Sequence, residues 1–268
     1  MEYWWLYPLI GAVVGFMAGL LGIGGGMAMV PIMLFVFKAQ GAQAGFPPEH
    51  LMHMALATAM ATIPFTSAAS VRAHHARGGV DWKIVTGMLP GLAMGAVIAG
   101  LVAGIVPGRP LAIFFAAFIL YAATSMFFDL TPAGKRALPG RVGLALVGSI
   151  VSFLASFVAA GAAFMTIPFM TWCNVPLKRA VGTAAAIGFP LGVAASVGYA
   201  LAGMRAGPMP AWSLGFIYLP ALALIVPASV LVAPWGVRVS QRMPVKRLRI
   251  VFALVLYGIA IRMVISLW

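Results

Sequence analysis

The residues best placed for chemistry in this chain are glycines. The stretch Gly19-Leu-Leu-Gly-Ile-Gly-Gly-Gly-Met-Ala-Met-Val-Pro31 sets five glycines in eight residues inside an apolar segment, where each costs a helix interior about 1 kcal/mol against alanine. Such a run marks a helix break. Broken backbone at membrane depth is tolerated where it is buried in protein or lines a wet cavity. A half-helix starting at Gly25 or Gly26 would turn unpaired N–H groups and a positive dipole end into that space, an arrangement suited to an anion. Gly24, Gly25 and Gly26 are therefore candidate substrate-binding residues, with Gly161 their counterpart in "AAGAAFMTIP" (Ala159–Pro168). Gly15 and Gly19 have instead the spacing of a small-residue helix contact. Valine is accordingly expected to cost ligand affinity at Gly26 and stability at Gly15. The run is not a nucleotide loop, because no strand precedes it and no Lys-Ser/Thr follows.

Buried hydroxyls come next. Thr58 and Thr183 hold matching positions in "ALATAMA" and "AVGTAAA"; each either serves an anion or bonds the i−4 carbonyl of its own helix. His50, His53 and Asn174 lie near segment ends, as anion contacts or as interfacial polar residues. Arg72, His74, His75 and Arg77 either set topology or gate a mouth. The acidic residues Glu2, Glu49, Asp81 and Asp129 all fall at segment ends or in loops, which argues against a carboxylate proton relay inside the membrane. A monoanion leaving a cell with a negative interior gains about 2.3 kcal/mol per 100 mV without a coupling ion. Cys173 stands alone, so no internal disulfide or thiolate cluster is available, and it reads as a small buried hydrophobe. No cofactor or metal is expected. An intramembrane serine protease is disfavoured by histidines confined to segment ends and by the lack of Gly-x-Ser-x-Gly.

The elements that must carry these residues are membrane helices. Of 268 residues, 63% are hydrophobic and 8% charged, with a mean hydropathy of +1.06, too little polar surface to coat a soluble globule. Eight apolar stretches, from Leu6–Phe37 to Ile250–Trp268, approach the ~20 residues of a spanning helix. Weak alternation excludes a barrel and leaves an all-α integral membrane protein. The net charge of +13 would suggest nucleic acid in a soluble chain; here the basic residues sit in short loops and report orientation, so the partner is the lipid bilayer and not nucleic acid. The amino terminus, with an acidic residue and no cleavage site, is expected to be retained, and Trp4, Trp5 and Tyr7 to form an interfacial belt.

The chain repeats itself. "GFMAGLLGIGGGMAMVPIMLF" (Gly15–Phe35) aligns without gaps on "SFLASFVAAGAAFMTIPFMTW" (Ser152–Trp172), "AASV" at Ala68 recurs at Ala194, and Trp82 with Pro90 matches Trp212 with Pro220. Two homologous halves follow, 1–133 and 134–268, joined around Thr131–Arg141. Corresponding loops carry opposite charge bias: Arg72, Arg77 and Lys83 against Arg205, and Arg109 against Arg238, Arg242, Lys246, Arg247 and Arg249. That reversal is expected of inverted repeats. Inversion needs an odd number of crossings, so each half is read as a broken, re-entrant helix hairpin plus three transmembrane helices, with both termini outside.

"GLLGIGGGMAMVP", "ALATAM", "RAHHARGGVDW" and "LPG", in that order and with echoes in the second half, resemble the TauE/SafE family of membrane permeases over nearly the whole chain. The resemblance implies a multi-pass protein of a bacterial-type inner membrane, not an enzyme. It also implies a small sulfur-containing anion as ligand, sulfite, sulfoacetate or another organosulfonate, most often exported. Alternating access about a midplane site is the expected mechanism; uptake or a channel for the same anions, or a non-transporting assembly factor, are the alternatives. "AAGAA" replaces the second glycine cluster, so Gly161 carries that part of the site alone.

Overall fold

A computed structural model describes residues 4–21, 26–41, 45–128, 136–242 and 245–267; Gly24, Gly25 and most of the linker lie outside them. Among the described residues the chain is all-α apart from one short hairpin. Its first half comprises α1 (Leu6–Leu21), α2 (Gly26–Gln40), a 3-10 turn (Pro48–His50), α3 (Leu51–His75), α4 (Trp82–Ile105) and α5 (Gly108–Phe127). The second comprises α6 (Arg141–Ser156), α7 (Ala163–Trp172), α8 (Leu177–Gly203), an antiparallel pair β1 (Ser213–Leu214) and β2 (Ile217–Tyr218), α9 (Leu219–Arg242) and α10 (Val245–Leu267).

Length sorts these helices into two kinds. Five are long and apolar enough to cross a membrane among the described residues: the segments Pro48–Arg72, Trp82–Ile105, Gly108–Phe127, Leu177–Gly203 and Leu219–Gly236. At 1.5 Å per residue, α1, α2 and α6 reach only about 22–24 Å and α7 about 15 Å, short of the ~30 Å hydrocarbon core. Each half therefore opens with a pair of helices too short to span singly, followed by long ones, as the glycine run and its echo predict.

Small residues dictate how the helices pair, because a missing side chain lets backbones touch. Gly11 of α1 lies on Ile225 of α9 and Gly15 on Ser229, so α1 and α9 run parallel. Gly91 of α4 lies on Ala145 of α6 and Gly95 on Ser149, again parallel. The first helix of each half is thus clasped by the fourth helix of the other. At the centre α3 and α8 cross antiparallel, with Pro64 beside Gly192, Ser67 beside Gly188 and His74 beside Gly182. Buried alanines and methionines of α3 and α8, with Met27, Met29 and Met33 of α2, fill the space around this crossing. The remaining long helices, α5 and α10, pack on each other, and Thr124 meets Tyr257 across them at 2.9 Å.

Two sequence expectations change here. Trp212 is in the turn before β1 with φ +66°, not in a helix. The counterpart of Trp82, first residue of α4, is Leu219, first of α9, which pairs Pro90 with Pro227 in place of Pro220. The β-hairpin and its approach, present only in the second half, displaced the match. Trp4 and Trp5 are exposed as a belt requires, but Tyr7 is 3% exposed and shares a hydrogen bond with Gln40, so it is an internal strut between α1 and α2.

A β-carbon on Gly91 would collide with the Ala145 carbonyl. Gly91→Val is expected to cost about 1–3 kcal/mol through overpacking, read as a lower melting temperature of the purified protein. Valine at the fully uncrowded Gly258, which has nothing within 4 Å, should leave the melting curve close to wild type.

Candidate functional site

The start of α2 lies against the turn that joins α6 to α7. Gly26, first residue of α2, sits so close to the Ala159 carbonyl that any β-carbon there would strike it. Ala159 lies in the turn between α6 and α7, the counterpart of the first glycine run. Around it, the Ala160 N–H donates to the Ala155 carbonyl at 3.2 Å, and Ala159 itself has φ +43°. This is a Schellman-type helix end, with a left-handed residue where glycine is usual. In the alignment above, Ala159 pairs with Gly22: the first half has the glycine this conformation favours, and the second has an alanine at a cost of about 1–2 kcal/mol.

Leaving a helix inside apolar surroundings exposes carbonyls that need partners. The Ser156 carbonyl, last in α6, is met at 2.9 Å by the hydroxyl of Tyr199 from α8. Tyr199 is fully buried and apolar contacts hold its ring, so one side chain serves both packing and capping. Sequence reading missed it, since a lone tyrosine in an alanine-rich helix carries no spacing signal. Past the break, Gly161 and Ala163 are buried, and α7 starts at Ala163 with Ala162 as its N-cap and no side-chain cap. At its start the Phe164 N–H donates to the Gly161 carbonyl at 3.4 Å and the Met165 N–H to the Ala162 carbonyl at 3.2 Å. Gly26 thus lies against this turn, and Gly161 is within it, two residues past Ala159.

Thr58 and Thr183 are both fully buried, and they are not together. From the register of the α3–α8 crossing, Thr58 is level with about residue 197 of α8. It therefore lies roughly 20 Å along the axis from Thr183, at 1.5 Å per residue. Their bonding is reciprocal. Thr58 Oγ1 accepts the Tyr218 N–H at 3.1 Å, and Thr183 Oγ1 accepts the Asp81 N–H at 2.9 Å. Tyr218 immediately precedes α9 and Asp81 immediately precedes α4, so each threonine holds the start of the other half's fourth helix. Asp81 in turn caps α4, its Oδ1 accepting from Lys83 N at 3.1 Å and Ile84 N at 3.4 Å. Thr62, Thr66, Thr86, Thr166 and Thr171 instead donate to carbonyls of their own helices or the residue just before them. Among the described residues, Thr58 and Thr183 do not.

The remaining polar candidates have structural roles. His53 is 1% exposed, its Nε2 donates to the Val106 carbonyl at 2.9 Å, and its ring stacks on Phe216 beside His50. Asn174, with φ +62°, donates from Nδ2 to the Arg136 carbonyl and so ties the linker to the end of α7. Arg72 is exposed at the end of α3. His75 accepts from Trp82 Nε1 at 3.2 Å, and burial together with the neighbouring Arg77 lowers the pKa of His74, holding it neutral at pH 7. Cys173 is buried, as expected. Among the described residues no three histidine, cysteine or carboxylate side chains gather as a metal site needs. A cavity of about 340 Å³ between the ends of α4 and α8, lined by Leu101, Ile105 and Arg205 among others, lies at the mouth of that helix pair, away from the breaks.

Long apolar helices around two interrupted ones describe a membrane transport protein, and its relatives bear that description. A probable membrane transporter protein of Haemophilus influenzae is 32% identical over 260 residues, 95% of this chain and 96% of the relative. A probable membrane transporter protein of Methanocaldococcus jannaschii is 24% identical over 264 residues, 95% of this chain and 94% of the relative. No solved structure matches the chain at a significant level. The family model described as sulfite exporter TauE/SafE matches residues 7–263, and the chain belongs to that family.

Valine at Thr58 or Thr183 would leave a backbone N–H without its acceptor, an expected loss of about 1–3 kcal/mol, whereas serine at either position keeps the bond; denaturant titration of the four variants reads the difference. Ala159→Gly relieves a left-handed alanine and is expected to raise stability by about 1 kcal/mol.

Proposed function

We propose that the protein carries small sulfur-containing anions, sulfite, sulfoacetate or related organosulfonates, outward across an inner membrane by alternating access. The observation that carries this reading is the contact of Gly26, the buried first residue of α2, with Ala159 in the buried turn between α6 and α7. Gly24, Gly25, Gly26 and Gly161 form the midplane site, where half-helix N–H groups receive the anion. Thr58 and Thr183, whose hydroxyl protons are not committed to their own helices, are stations on the way in and out.

The halves 1–133 and 134–268 act as inverted repeats. Relative helix directions support this: α1 runs parallel to α9 and α4 to α6, while the counterparts α3 and α8 run antiparallel. With both termini outside, the ends of α3 and α9 that bear Arg72 and Arg238 face the cytoplasm, and the ends of α4 and α8 near Arg109 and Arg205 face outward.

Purified protein in proteoliposomes should exchange radiolabelled sulfoacetate or sulfite for unlabelled anion in a counterflow assay. Gly26→Val is expected to abolish exchange and, because it wedges the two breaks apart, also to lower the melting temperature; Gly15→Val should lower the melting temperature and leave anion affinity near wild type. Wild-type vesicles that exchange none of sulfite, sulfoacetate, taurine or sulfate would sink the reading.

A further inference from the structure

Helices that correspond between the halves are not equally closed. Along α4 and α8 the helices touch at both ends: at their starts Thr183 holds Asp81, and toward their far ends, beside the cavity that Leu101, Ile105 and Arg205 line, a β-carbon on Gly100 would lie 2.6 Å from the Gly198 backbone and one on Gly104 2.6 Å from Ala202 Cβ. The corresponding pair, α9 and α3, is joined at its start, where Thr58 holds Tyr218. It parts beyond that. Every residue of α3 from Met52 to Ile63 is buried, and none of those described from Pro64 to His75 is. Matching positions of the repeated "AASV" show the contrast directly: Ala195 is 0% exposed, whereas Ala69 is exposed.

Residue types account for the difference. Gly198 corresponds to Arg72, whose bulk rules out backbone contact of the Gly100–Gly198 kind. α9 also carries a second internal proline, Pro234, where α4 has Val97, and a proline there frees a carbonyl and bends the helix.

We infer that the chain stands here in the conformer whose α4–α8 end is shut and whose α9–α3 end is open, and that Gly100 and Gly198 are the positioning residues that favour it. The inference rests on the alternating-access reading above: the opposite conformer closes α9 on α3 about the Thr58 bond while α4 leaves α8 about the Thr183 bond. Thr66 and Ser70, half-buried on the uncovered part of α3, line the open cleft, with Arg72 at its mouth as an anion-attracting charge.

The test uses single cysteines at Ala69 and Ala195 in a full-length Cys173→Ser background, reconstituted in lipid and labelled with a membrane-impermeant maleimide without any transported anion. The Ala69 reporter should react at least tenfold faster than the Ala195 reporter. Adding Gly100→Val, which cannot keep the shut contact, should reverse that order, raising labelling at 195 and protecting 69. Gly198→Ala is a smaller wedge with the same sign, and replaces Gly100→Val if the latter does not give a cooperative melting curve. A rise at 195 with no fall at 69 would mean simple loosening, and failure of 69 to react would mean that it faces lipid; either result overturns the inference. Because no anion is present, a failed counterflow experiment leaves these outcomes distinct.

Discussion

Backbone that leaves a helix inside an apolar medium must have its hydrogen bonds supplied by the rest of the protein, since lipid supplies none. The structure is organised around two such departures. The Schellman-type turn at Ala159 and the Tyr199 hydroxyl on the Ser156 carbonyl satisfy one of them locally and by one long-range contact. The start of α2 lies against the same turn, Gly26 on Ala159, and both residues are buried. Thr58 and Thr183 extend the same logic outward, each giving an acceptor to a backbone N–H at the start of a helix in the opposite half.

Hydrophobic burial does not drive helix association in a bilayer, because lipid tails are as apolar as leucine; close van der Waals contact does. That explains the distribution of glycine outside the breaks. Gly11 and Gly15 on α9, Gly91 and Gly95 on α6, and Gly100 and Gly198 between α4 and α8 are all sites where backbone lies on backbone. Where one partner of such a pair is replaced, as Arg72 stands for Gly198, the contact does not form, and a difference of residue type becomes a difference of conformation.

Much of this was legible in the sequence. Composition alone specified a helical membrane protein, and the cost of clustered glycine marked the broken hairpins, because both follow from local properties of the chain. Of the candidate glycines, Gly26 lies against the turn after α6, while Gly24 and Gly25 are outside the described residues. The threonines were recognised as paired, but their roughly 20 Å separation and their exchange of partners across the halves depend on the α3–α8 register, which no local pattern encodes. Trp212 matched Trp82 in letters and not in space, because the hairpin inserted before α9 carried a tryptophan into a turn. Tyr199 and the left-handed Ala159 were invisible for a different reason: their roles are set by neighbours distant in sequence. Gly22 opposite Ala159 in the alignment was the signal that could have revealed the turn.

The clasp of α1 by α9 bears on how the protein is made. Gly11 and Gly15 find their partners at Ile225 and Ser229, and at a synthesis rate of about 5–20 residues per second α1 waits roughly 10–40 s for them to be translated. Throughout that time a short helix, with its glycine face bare, sits in or beside the insertion machinery. α6, by contrast, emerges after α4 and finds its partner already in place. Biogenesis is therefore lopsided where the finished fold is nearly symmetric. The clasp of α1 must wait for α9, and a nascent chain halted before α9 holds an amino-terminal helix whose glycine face has no helix to meet it.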